Sequence, residues 1–151
     1  MEKIEIKFHI QVYTDVNELL NDDQNLIKEA QNAAQNAYAP YSGFSVGAAV
    51  SLDNGEIISG SNQENAAYPS GLCAERVALF YANSKYPNSK VTSIALCAKN
   101  KNGFISEPVP PCGACRQVII ESAERFKNTI KIILSGKKEI IVIDDVKKLL
   151  P

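Results

Sequence analysis

Tryptophan is absent from the 151 residues, histidine and methionine occur once each, and cysteine occurs four times. With His9 alone, the zinc-binding helix that needs two histidines is excluded. A serine–histidine–carboxylate triad would have to recruit His9 from a strand-like stretch near the N-terminus. Long apolar runs are missing too. The longest, as over 77–82, are about six residues, and a membrane-spanning helix needs about 20. Excess charge of one sign is also lacking: 16 Lys+Arg stand against 17 Asp+Glu, for a net −1. That balance argues against a nucleic-acid binder working by phosphate neutralisation. Glu2, Lys3, Glu5 and Lys7 occupy the place where a secretory signal would need an apolar core. The expectation is a soluble, cytoplasmic chain with neither a nucleic-acid nor a membrane partner.

What is present suffices for one domain over residues 1–151. At 45% hydrophobic and 22% charged, a chain of this length can bury about 70% of its unfolded surface. Residues 3–13 alternate polar and apolar with period two, which predicts a strand. Asn21, Asp22 and Asp23 offer helix caps ahead of Leu26, Ile27, Ala30, Ala33, Ala34 and Ala37, which share one helical face. Residues 38–43 read as a loop. Residues 45–52 and 56–61 read as a hairpin turned by Asn54-Gly55. Helices fit 73–84 and 112–126, and a buried strand fits 91–98. Pro108, Pro110 and Pro111 mark the connection 99–111 as irregular. Strands at 130–135 and 139–143 and a short helix at 144–150 complete a three-layer α/β order with an added N-terminal strand.

All four cysteines, Cys73, Cys97, Cys112 and Cys115, fall between residues 73 and 115. Without a secretory signal, and with a full core available, they point to metal or catalysis rather than disulfides. Cys73-Ala74-Glu75-Arg76 and Pro111-Cys112-Gly113-Ala114-Cys115-Arg116 each open a predicted helix. Unpaired N–H groups and the positive dipole end there favour the thiolate that binds metal. One cysteine plus a C-x-x-C pair gives zinc three ligands and leaves a fourth position open for chemistry. Glu75, two residues after the first ligand, is placed to shuttle a proton. Cys97 as a fourth ligand would instead make a non-catalytic, zinc-stabilised module. Glu75 has no place in that reading, and a buried thiol is the ordinary state of a free cysteine, so Cys97 is read as core.

A ligand, one residue, a glutamate and a later Pro-Cys-x-x-Cys form the signature of zinc nucleobase deaminases, here with cysteine as first ligand. Over roughly residues 25–135 the chain resembles the small homotetrameric cytidine deaminases of three-cysteine type. The resemblance rests on four blocks in order. They are Tyr38-Ala39-Pro40-Tyr41-Ser42-Gly43-Phe44-Ser45-Val46-Gly47-Ala48-Ala49, Asn62-Gln63-Glu64-Asn65-Ala66-Ala67-Tyr68, Cys73-Ala74-Glu75-Arg76 and Pro111-Cys112-Gly113-Ala114-Cys115-Arg116-Gln117.

The resemblance implies a three-layer α-β-α domain with a mixed central sheet and one zinc per subunit on Cys73, Cys112 and Cys115. It makes Glu75 the proton shuttle and Arg76 a hydrogen-bond donor to the thiolate sulfurs. It implies Asn62 and Glu64 on the ribose hydroxyls, Phe44 against the base and the Ala74 backbone at the base's amide edge. Asn65, Ala66 and Tyr68 would reach a neighbouring subunit's site in a homotetramer. The implied reaction is hydrolytic deamination of cytidine and deoxycytidine, in pyrimidine salvage. Another aminopyrimidine nucleoside such as blasticidin S is the alternative substrate. Two departures stand out. The first 20 residues exceed the compact family pattern, and residues 147–151 hold no counterpart of the C-terminal aromatic that some members supply.

Overall fold

The structure, a computed structural model, describes residues 1–150. Seven strands form one mixed sheet: β1 (Gln11–Tyr13), β2 (Ser45–Leu52), β3 (Ile57–Ser61), β4 (Val91–Asn100), β5 (Gly103–Phe104), β6 (Lys131–Ser135) and β7 (Ile140–Ile143). Their order is β1-β7-β6-β4-β2-β3, with β5 paired to the end of β4. Only β4 and β6 run parallel. Three helices, α1 (Asn21–Ala34), α2 (Ala74–Lys85) and α3 (Gly113–Phe126), cover the faces.

Period two decides which helix goes where. Ala48, Val50, Leu52, Ile94, Leu96, Ile132 and Leu134 point to one face and pack on Ala74, Ala78 and Leu79 of α2 and on Ile119 and Ala123 of α3. The intervening Ala49, Ala95, Cys97 and Ile133 face the other way, onto Leu26, Ile27, Ala30 and Ala34 of α1. Because both faces are covered, β4 is buried over most of its length, as its unbroken apolar run requires. Two glycines allow the layers to close. A Cβ on Gly47 would lie 1.9 Å from the Ala30 carbonyl oxygen of α1, and one on Gly60 would lie 2.6 Å from the Ala78 nitrogen of α2.

Several sequence expectations shift. The N-terminal strand exists, but it covers Gln11–Tyr13 rather than 3–13, because its partner β7 has only four residues. Helix α1 stops at Ala34, and its N-cap is Leu20, with no side-chain cap. Asp23 turns inward instead and pairs with Lys131 on β6 at 2.5 Å. The C-terminal helix is a single 3-10 turn, Val146–Leu149, and β5 was not foreseen. Among the described residues no helix is long and apolar enough to cross a membrane.

Candidate metal centre and the cleft around it

The sheet topology brings the starts of α2 and α3 together on one face. Cys73 is the N-cap residue of α2, and Cys112 is the N-cap of α3. Both have extended φ/ψ and no side-chain cap, so their sulfurs turn toward each other instead of closing their own helix ends. Cys115, three residues after Cys112, sits one helical turn further on and is fully buried. The three sulfurs lie within 4.8 Å of one another, and Cys73 Sγ is 4.0 Å from Cys112 Sγ. Two sulfurs at about 2.3 Å from a tetrahedral zinc stand about 3.8 Å apart, so the cluster fits that ion with little adjustment. Cys97 faces the α1 side of the sheet, where burial pushes its thiol up to about 12. It stands outside the cluster.

Burial raises the Cys112 thiol, but the Cys115 backbone N–H and the Cys115 and Cys73 thiols outweigh it, and the net direction is down. Cys115 moves up, first through burial and then through the charges of Glu75 and the other two sulfurs. Three close sulfurs cannot all carry charge unaided; a divalent cation resolves that conflict. Arg76 supplies the other positive charge. Its Nη2 donates to Cys73 Sγ at 3.3 Å, and that bond, ahead of burial, keeps the guanidinium protonated. Its Nε is buried without a partner in the chain. The pairing is with sulfur, not with Glu64 or Glu75.

Glu75 is 6% exposed in the first turn of α2. Burial pushes its carboxyl above the usual range, against its own backbone N–H, the Cys115 thiol and the Arg76 charge. Cys73, Ala74, Glu75 and Cys112 line a cavity of about 180 Å³ together with Asn62, Cys97, Val46, Leu96, Val109 and Pro110. Those last four apolar walls were not singled out from the sequence. They come from β2, β4 and the proline-rich connection, which converge only through the sheet; nearness in the chain of Val46 to Phe44, and of Val109 and Pro110 to Cys112, was the one available signal, and Leu96 had none.

The segment leaving β3 bonds heavily to the loop before β2. Asn62 Oδ1 accepts from Val46 N–H at 2.7 Å, and its Nδ2 donates to the Phe44 carbonyl at 2.9 Å. Glu64 Oε2 accepts from Tyr41 N–H at 2.9 Å and Ser42 N–H at 3.3 Å. Both Glu64 bonds fall on one oxygen, so Oε1 is free of them. Phe44 is half-buried and outside the residues lining the smaller cavity. An outer cleft of about 680 Å³ adjoins, lined by Tyr41, Glu64, Asn65, Ala66, Tyr68 and Arg76 among others. Asn65 Oδ1 accepts from Ala67 N–H in a local turn, and Tyr68, at the cleft's rim, is 91% exposed.

Comparison with known proteins agrees with this geometry. The family model described as the cytidine and deoxycytidylate deaminase zinc-binding region matches residues 20–130. A cytidine deaminase of Halalkalibacterium halodurans is 46% identical over 130 residues, which is 86% of this chain and 92% of that relative. One from Sporosarcina psychrophila is 42% identical, over 86% and 89%. The crystal structure of cytidine deaminase from Burkholderia pseudomallei superposes with a TM-score of 0.73 at 36% identity, covering 88% of this chain and 98% of that one. That of Mycobacterium tuberculosis gives 0.64 at 32% identity, covering 86% and 94%. A shared fold, a family match across most of the chain and a three-cysteine cluster suited to zinc lead to one conclusion: the chain belongs to the cytidine deaminases.

Proposed function

We propose that the chain hydrolyses cytidine and deoxycytidine to uridine and deoxyuridine, releasing ammonia, in the cavity between the starts of α2 and α3. The observation that carries this is a buried glutamate that lines a cavity sized for a base together with Cys73 and Cys112, two of three converging cysteines. Zinc, when bound, supplies a Lewis acid that acidifies the attacking water. Cys73, Cys112 and Cys115 hold it, and Arg76 offsets the thiolate charge from Cys73 Sγ.

Glu75 carries one proton of the water to the pyrimidine ring nitrogen, where it stays, and carries the second, from the hydroxyl added at C4, to the departing amine, so that water's oxygen becomes the new carbonyl and ammonia leaves. Its burial raises its affinity for each proton, as a shuttle requires. The Ala74 backbone meets the amide edge of the base, and Phe44 packs on the base. Asn62 and Glu64 hold the ribose hydroxyls, with Glu64 Oε1 free to accept one. The catalytic unit is a homotetramer in which Asn65, Ala66 and Tyr68 reach the neighbouring subunit's cleft. The exposed Tyr68 and the uncovered outer cleft support that arrangement.

The test is Glu75→Gln, which keeps size and removes proton transfer. Turnover of cytidine should fall by about 10²–10⁴-fold, while zinc measured on the same sample stays at the wild-type level. Loss of zinc with the activity would make Glu75 a ligand and overturn the assignment.

A further inference from the structure

Residues 1–10 form no secondary structure and are exposed throughout, although they continue the polar–apolar alternation of β1. At alternate positions stand Ile4, Ile6, Phe8, Ile10 and Val12, with exposures of 82, 64, 47, 45 and 52%, which an extended segment sets on one face. Singly exposed apolar residues are ordinary; five on one face of one segment mark a surface that another chain covers. β7 has no further strand to offer the segment. Gln11 pairs with Val142 and Tyr13 with Ile140, and β7 ends at Ile143. Continuing that register, Ile10 is the last residue with a possible partner, and residues 2–9 run past the sheet. β1 is also the terminal strand, so its outer edge is open among the described residues. It carries none of the prolines or bulges that blunt an open edge. The segment lies outside the 20–130 stretch that the family model matches.

We propose that residues 2–10 are an assembly arm that pairs antiparallel with the same arm of a second copy of this chain, about a two-fold axis at Ile6. Symmetry argues for a copy. A two-fold axis perpendicular to a two-stranded ribbon keeps each residue on its own face, so even positions always oppose even positions. Apolar even positions can therefore meet one another in a symmetric register, and centred on Ile6 they do so at Ile4, Ile6 and Phe8. Charge and apolar overlap together select among the registers. Centred on Ile6, the pairing sets Ile4 opposite Phe8, Ile6 opposite itself, Lys3 opposite His9, and Glu5 opposite Lys7 twice. A centre on Lys7 would oppose two ammonium groups, and one on Glu5 two carboxylates. A centre on Phe8 would give up both opposite-charge pairs. A centre on Ile4 also offers two opposite-charge pairs, Lys3 with Glu5, but sets Ile6 against Glu2 and leaves Phe8 unopposed. Glu5 and Lys7 already lie 3.2 Å apart within one arm, so pairing builds a ring of four alternating charges. Such exposed pairs add little affinity and act on register.

The test uses the full-length, zinc-loaded protein. Ile6→Cys should give a disulfide-linked dimer under mild oxidation, where two opposed residues lie about 4.5–5.5 Å apart. Ile10→Cys faces Glu2 of the other arm, with its two copies about 26 Å apart, and should stay unlinked. The unmodified chain controls for Cys97 and the metal-site sulfurs. Glu5→Lys or Lys7→Glu alone should slow linking of Ile6→Cys roughly five-fold, and both together should restore it. No linked dimer from Ile6→Cys, equal linking from Ile10→Cys, or failure of the double reversal to restore the rate would each overturn the pairing. Docking of the arm on its own subunit, or on another face of the second copy, would appear as the first of these.

Discussion

Glu64 ties a loop and lines the outer cleft. Its Oε2 accepts the N–H groups of Tyr41 and Ser42 and fixes the loop before β2. The Ser42 hydroxyl and the Tyr41 backbone, in that order, hold its carboxyl below the ordinary value. A carboxylate with a lowered folded pKa contributes stability that is complete above its unfolded pKa, about 4.3, and is lost as pH falls through the folded one. The carbon-13 shift of the Glu64 carboxyl should therefore titrate with a midpoint below that of an ordinary glutamate, and the Tyr41 and Ser42 amide protons should follow it. A midpoint at or above the ordinary value would remove the loop-fixing role. At this scale much of the site was legible in the sequence. Cys73, Glu75, Cys112 and Cys115 hold fixed positions in a first helical turn, and a short motif encodes such a turn. The walls Val46, Leu96, Val109 and Pro110 were not legible, because their separate segments meet only in the folded sheet.

Helix α2 carries both Cys73 and Glu75, and its seat is Gly60 on β3. A Cβ there would meet Ala78 N at 2.6 Å, Val77 Cγ1 at 2.9 Å and the Ala74 carbonyl oxygen at 3.0 Å. Two of those atoms are backbone, so the helix itself must move. Gly60→Ala should cost about 1–3 kcal/mol in denaturant unfolding and lower cytidine turnover by displacing the start of α2. Unchanged stability and turnover would show that the helix tilts freely, against the close seat described. β2, β3, α2 and α3 were readable from their own residue patterns and turn signals, and β4 from an unbroken apolar run that only a strand covered on both faces can carry. β1 was not, since its extent is set by the four-residue length of β7 rather than by its own alternation. The start of α1 also escaped: Asp23 is a good cap by type, yet its partner is Lys131, 108 positions away.

For the whole molecule, the exposed rim at Tyr68 and the open outer cleft predict that one subunit is an incomplete enzyme. Sedimentation equilibrium should give the mass of four 16.5 kDa chains. A monomer with full turnover at assay concentration would overturn the shared boundary, and it would do so without bearing on the arm, whose pairing is read by cross-linking. The metal cluster has a separate meaning for the polymer. Cys73 and Cys112 are 39 positions apart, and the loop between them contains β4 and β5. An ion that stays on both sulfurs through unfolding ties that loop shut, as a disulfide of the same span would. In loop-closure terms such a tie removes entropy from the unfolded chain equivalent to about 4 kcal/mol. The catalytic ion would then also act as a reversible cross-link, limiting how far the sheet's central strand can wander once its neighbours let go.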